Sequence, residues 1–326
     1  VLAIVGEAGM GKSRLAHEFL QQVTADLNPQ SPFSDPKSPR PNPQSFLCQT
    51  DEILRQPLNP FRYWLRRYFN QSARQSEAEN KAAFSQKIEW LLTELESAQQ
   101  PRQAESAEKR MTPVADGIAS RTLQSEIDRT RSFLGALVDL RWEDSLYERL
   151  EPQLRYENTL DALKTLIKAE SLRRPVILHL EDAHWLDAES GEFLTKLLRN
   201  VEEYALLIIA TARPPERHEE DYDFFAALPD GTPYTLIDLT ALTERNVIGL
   251  GEDLLDAPLH PTLAAELTQR ADGNPFFAEQ IVLYLQEQGL LRMGEQGWEM
   301  IDDGGFTAHK VLSGDARAVL TARLDR

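Results

Sequence analysis

The stretch that decides the fold is Val1-Leu2-Ala3-Ile4-Val5 followed by Gly6-Glu7-Ala8-Gly9-Met10-Gly11-Lys12-Ser13. The first five residues form a continuous aliphatic run, which reads as a buried strand. The next eight match G-x-x-x-x-G-K-[ST] in full, and the residues from about Lys12 to Ala25 read as a helix. Glycine lets the backbone fold so that successive N–H groups of Gly6, Glu7, Ala8, Gly9, Met10 and Gly11 converge on an anion. The helix that follows, starting Lys12-Ser13-Arg14, adds its positive end at the same place. In this chemistry Lys12 reaches the β- and γ-phosphates and the Ser13 hydroxyl ligates Mg²⁺. ATP or ADP with Mg²⁺ is the expected cofactor set. A glycine-rich turn without a ligand is the competing reading, and the strand before and helix after argue against it.

A phosphate loop alone does not hydrolyse ATP. The fold needs an acid at the end of a neighbouring strand to organise Mg²⁺, and another to polarise water. Val176-Ile177-Leu178-His179-Leu180-Glu181-Asp182 supplies an apolar strand ending in two carboxylates. Glu181 stands where the Mg²⁺-organising acid belongs and Asp182 where the water-activating base belongs, although either acid could contact the metal. A solvated pair at a strand end is the alternative. His179 lies within the strand and reads as a packed residue. Asp187 is equally a helix N-cap or a member of the site. A further strand ends Ile208-Ile209-Ala210-Thr211-Ala212-Arg213-Pro214, which brings Arg213 out where it could sense the γ-phosphate. A surface arginine before a proline turn is the other reading.

Further along, Ser45–Gln49, Pro175–Leu180, Ala205–Ala210 and Tyr234–Leu239 are the remaining strand candidates, with helices between them. Alternating strands and helices, with apolar strands, predict an α/β fold: a parallel sheet covered on both faces. Pro60–Phe69 places Phe61, Trp64, Leu65, Tyr68 and Phe69 on one helix face, and Phe84, Ile88, Leu91, Leu92 and Leu95 do the same for a second helix. Residues 71–132 read as a helical insertion that is partly mobile, because 98–131 carries too few apolar residues to build a core. From about Leu242 the pattern changes to consecutive helices near 243–255, 261–272 and 275–288. A short ribbon over Leu290–Met300 and a helix over Leu312–Leu324 close the chain.

The 326 residues carry a net charge of −17, which argues against broad contact with a phosphate backbone or an anionic membrane face. One cysteine, Cys48, excludes an intrachain disulfide; beside Phe46 and Leu47 it reads as a buried strand residue. No apolar run approaches the 18 or so residues of a membrane span, and no basic leader is present. A cytoplasmic location is expected by default. Both ends fall inside regular patterns, so the chain reads as a segment of a longer protein.

Gly6–Ser13, Leu178-His179-Leu180-Glu181-Asp182-Ala183-His184-Trp185-Leu186-Asp187, Thr211-Ala212-Arg213-Pro214 and Gly273-Asn274-Pro275-Phe276-Phe277 together resemble a STAND-type AAA-related ATPase module. The resemblance is to the variant found in bacterial multidomain regulators, fused to nucleotide cyclase domains, LuxR-type DNA-binding domains or helical repeat arrays. It covers nearly the whole chain and is poorest over 71–132. It implies a P-loop ATPase core over 1–240, a helical lid over 241–288 and the truncated start of a winged-helix subdomain over 289–326. It also implies that Pro275 packs on the adenine, whereas the residues alone make Asn274-Pro275 a good helix start. The implied activity is slow ATP hydrolysis that switches a fused effector, with self-association on ATP binding. A nucleotide-stabilised scaffold is the alternative, and a small-molecule kinase fits the lid segment less well. Two departures stand out. The family's adenine-contacting segment upstream of the P-loop would precede Val1, and Glu181 replaces the aspartate that related modules often carry.

Overall fold

The structure, a computed structural model, describes residues 1–24, 42–53, 56–97, 113–214, 224–225 and 228–301. The chain runs β1 (Leu2–Gly6), α1 (Lys12–Thr24), β2 (Gln44–Gln49), α2 (Asn59–Tyr68), α3 (Glu77–Ser97), α4 (Pro113–Leu137), α5 (Leu146–Arg149), α6 (Pro152–Arg173), β3 (Val176–Glu181), α7 (Ala188–Leu197), β4 (Leu206–Ala212), β5 (Thr235–Leu239), α8 (Glu244–Leu255), α9 (Pro261–Ala271), α10 (Pro275–Glu287), β6 (Leu291–Gly294) and β7 (Gly297–Met300). Five strands form one sheet in the order β2-β3-β4-β1-β5. Among the described residues no helix is long and apolar enough to cross a membrane.

The sheet follows from side-chain content. Along β3, Val176, Ile177, Leu178 and Leu180 are buried, and along β4 so are Ile208, Ile209 and Ala210. Strands apolar on both faces belong in the middle of a parallel sheet, and both take central places. β2 runs parallel to β3 with Cys48 opposite Leu180 and Gln49 opposite Glu181; β3 runs parallel to β4 with Leu180 opposite Ala210. Cys48 is fully buried and its thiol is pushed up by that burial. The acidic strand β3 is not the neighbour of β1, as the sequence suggested. β4 stands between them, a spacing that strand patterns do not encode. β5 also departs from expectation. It is an edge strand, and Leu236 is 51% exposed.

The chain divides into two compact units, Val1–Ala3 with Ala16–Leu236, and Ile4–Leu15 with Ile237–Arg326. In the first, α2 buries Phe61, Trp64 and Leu65, and α3 buries Phe84, Ile88, Leu91 and Leu95. The fully buried Glu170 of α6 accepts hydrogen bonds from Gln44 Nε2 (2.7 Å) and the Tyr68 hydroxyl, and pairs with Arg173 (3.2 Å). A buried carboxylate needs such partners to offset desolvation, and these join β2, α2 and α6. The low-apolar stretch 98–131 behaves differently from its composition. Residues 98–112 lie outside the described ones, but from Ser120 on α4 packs. Within it Leu123 and Ile127 are buried, and Ser120 Oγ and Gln124 Nε2 donate to the Leu95 and Leu92 carbonyls at 3.1 and 3.0 Å. Few apolar residues suffice when they fall on one helical stripe.

In the second unit, α8, α9 and α10 enclose Val247, Leu263, Leu267, Ala271, Ala278, Ile281, Val282 and Leu285. Thr243, His260 and Asn274 cap the three N-termini, and Asp256 and Asp272 end α8 and α9 in the left-handed conformation. The β6–β7 hairpin lies against the α8–α9 connection. Trp298 N donates to Pro258 O (2.8 Å), His260 N to Trp298 O (2.8 Å), and the Trp298 indole to Leu255 O (3.1 Å). The helix expected over Leu312–Leu324 lies outside the described residues.

Candidate nucleotide site

The phosphate loop leaves β1 at Gly6. Gly9 and Gly11 both take positive φ, 79° and 86°, a region where residues with a Cβ are strained. Gly6 is required for a different reason: a Cβ there would stand 2.9 Å from the Leu239 carbonyl oxygen. At Gly11 a Cβ would meet nothing within 4 Å, so the loop is open on that side. Leu15 N donates to Gly11 O at 2.9 Å, which sets the first turn of α1 directly after the loop. The Lys12 side chain is held inside it. Lys12 is 8% exposed, and its Nζ donates to the carbonyls of Gly6 (2.8 Å) and Glu7 (3.0 Å). Ser13 and Arg14 are exposed on the helix's first turn. A cation, an exposed hydroxyl, a helix N-terminus and an open glycine cradle fit a nucleotide phosphate with its Mg²⁺.

Two residues far along the chain complete the loop. Asn274 Nδ2 donates to Ala8 O at 3.0 Å, and Phe276 N donates to Gly9 O at 3.3 Å. Pro275, between them, occupies the first turn of α10. Gly273 at φ 74° must be glycine, because a Cβ would come within 2.7 Å of Ala241 Cβ and 2.8 Å of Leu242 O. The sequence identified Asn274 as part of a helix start; its bond to the loop had no local signal.

The acids are supported by a separate set of contacts. Asp182 takes the left-handed conformation, φ 54° and ψ 48°. Its N–H donates to Thr211 Oγ1 at 3.0 Å. The Thr50 hydroxyl lies 2.8 Å from the Glu181 carbonyl and 2.7 Å from the Asp182 carbonyl, shared between them, and Thr50 N donates to Glu181 O at 3.3 Å. Both threonines are buried. Thr50 stands one residue beyond β2 and Thr211 is the penultimate residue of β4, the two strands on either side of β3. Sequence reasoning assigned neither of them a role. The signal that could have found them is a polar β-branched residue near the C-terminal end of each apolar strand.

His179 is buried, its Nε2 has no hydrogen-bond partner among the described residues, and desolvation lowers its pKa, opposed by Glu181 and reinforced by His17. It is a packed residue, as its place in the strand predicted. His184 is buried against Trp185 with ring centroids 4.6 Å apart. Asp187 is the N-cap of α7: Oδ1 accepts from Ser190 N (2.8 Å) and Leu58 N (3.0 Å), and Oδ2 accepts from Ser190 Oγ (2.7 Å). Those bonds occupy its carboxylate structurally. Arg213 places its guanidinium 5.5 Å from the Trp185 ring centre, within cation–π range, so it adjoins the turn that follows the acids. The predicted residues thus fall into two groups, the loop with Pro275, and Glu181 with Asp182 and Arg213.

Comparison with known proteins agrees with this chemistry. An uncharacterized protein of Rhizobium meliloti (strain 1021) is 25% identical over 142 residues, which is 42% of this chain and 13% of that protein. This chain therefore spans only a small part of its relative's length. Residues 1–209 match the AAA ATPase domain family. With the phosphate loop, strands β1 to β3 and the acidic strand end inside that span, the chain belongs to the AAA ATPase domain family, whose members bind ATP.

Proposed function

We propose that the chain is a STAND-type regulatory ATPase module, in which ATP binding and slow hydrolysis switch the helical region, acting as a lid, between two states that a fused effector reads. The observation that carries this reading is the attachment of α10 to the phosphate loop through Asn274 and Phe276. Whatever changes the loop's contents acts on the lid through these shared hydrogen bonds. Lys12 neutralises phosphate charge, Ser13 with Glu181 and Asp182 would hold the metal, and Asp182 would accept the proton of the attacking water. Mg²⁺, when bound, neutralises the charge developing on the β- and γ-phosphate oxygens. Arg213 reports the γ-phosphate and Pro275 packs against the adenine. The site is cytoplasmic on this reading, and self-association accompanies ATP binding.

A nucleotide-stabilised scaffold with little turnover is the second reading, favoured by glutamate at position 181, whose longer side chain alters metal geometry. Asp182→Asn separates the two. The switch reading expects turnover to fall by about 10²-fold or more, the scale of a lost acid–base group, with ATP affinity within a few-fold. Turnover equal to wild type would remove Asp182 from the role of base. An undetectable wild-type rate, both in this chain and in the longer protein containing it, would favour the scaffold.

A further inference from the structure

Asn274 is used at both ends. Its Oδ1 accepts from Phe276 N (3.0 Å) and Phe277 N (3.4 Å), capping α10, while its Nδ2 donates to Ala8 O (3.0 Å). Turning the carboxamide over would set amide against amide and carbonyl against carbonyl, so the arrangement has one sense. The side chain is buried, where an unmet polar group is costly. Phe276 N adds a second bond to the loop, to Gly9 O.

These bonds determine how the loop presents itself. The Ala8–Gly9 peptide is trans, since no cis peptide occurs among the described residues. A trans peptide with its carbonyl turned toward α10 aims the Gly9 N–H the opposite way. The close approach also explains the glycine. A Cβ on residue 9 would lie 2.7 Å from Asn274 Oδ1 and 3.1 Å from Phe276 Cβ.

We propose that Asn274 is a positioning residue of the phosphate loop, its carboxamide holding the Ala8 carbonyl so that loop shape and attachment of α10 are a single equilibrium. The proposal rests on the nucleotide reading above and deepens it. It assigns the coupling between phosphate loop and lid to a polar side chain outside the loop motif, separate from any contact Pro275 makes.

Asn274→Ser separates the two ends of the side chain, because serine caps a helix about as well as asparagine and does not reach Ala8. Hydrogen exchange on the nucleotide-free chain should show the Gly9–Gly11 amides exchanging about tenfold faster, equivalent to one lost hydrogen bond, while α10 exchanges within twofold of wild type. ATP Kd should weaken by about tenfold. Asn274→Ala serves as contrast and should accelerate exchange in α10 as well. Asn274→Asp, which keeps the cap and sets a carboxylate against the Ala8 carbonyl, should accelerate loop exchange further and provides the test should the serine variant fold poorly. Loop exchange unchanged in Asn274→Ser, or faster exchange with ATP Kd within twofold of wild type, overturns the proposal. A wild-type chain that binds no ATP defeats the nucleotide reading instead, and loop exchange alone then decides whether the clamp exists.

Discussion

The phosphate loop and the acidic end of β3 both hold backbone in left-handed conformations, and they do so by different means. In the loop the residues themselves are adapted: Gly9 and Gly11 take positive φ without a Cβ to strain. At the strand end the residue is Asp182, which has a Cβ and tolerates this region less readily than glycine. Its conformation is held from outside by the Thr211 hydroxyl on its N–H and the Thr50 hydroxyl on its carbonyl. A left-handed non-glycine residue costs about 1–2 kcal/mol, a sum that two hydrogen bonds can offset. A carboxylate at this position requires a side chain, so glycine is not available there, and residues from the flanking strands' ends supply the support instead.

Three substitutions test how far the contrast holds. The largest effect belongs to the loop. Lys12→Ala removes a charged donor from the phosphates and should weaken ATP binding on the order of a hundredfold, measured by titration with ATP; tight binding by this variant would undo the phosphate reading. Next comes the borrowed support. Thr211→Val keeps shape and burial but deprives Asp182 N of its acceptor, so turnover should fall about tenfold while ATP Kd stays within twofold, since phosphate binding belongs to the other region. Equal losses in both quantities would mean that the two regions do not separate. The smallest effect tests what Asp187 is for. Asp187→Ala should cost about 1–2 kcal/mol of stability in denaturant unfolding and leave ATP Kd unchanged; a large loss of binding would return Asp187 to the site.

The same contrast explains what was legible in the sequence. The loop motif lies within eight consecutive residues, and its strand–loop–helix setting could be read directly. The Glu181–Asp182 pair was visible too, because an apolar strand ending in two acids is a local pattern. Thr50 and Thr211 were not, since their role depends on which strands flank β3, and strand order is set by packing across the sheet. β5 misled for a related reason. Tyr234–Leu239 has the content of a buried strand, but its place at the edge leaves Leu236 exposed. α4 misled in the opposite direction: the scarcity of apolar residues over 98–131 concealed the fact that Leu123 and Ile127, one turn apart, are both buried. Asn274 was legible as a helix cap and illegible as a partner of Ala8, more than 260 residues away along the chain.

The hairpin has a mechanical meaning. Trp298 is stitched to the α8–α9 connection by its own amide, its carbonyl and its indole, and Ile301 N donates to Leu290 O at 2.9 Å. A load carried by β7 is therefore shared between Leu290, just past α10, and Leu255, Pro258 and His260 at the α8–α9 connection. The hairpin works as a splice, spreading tension over the three-helix unit.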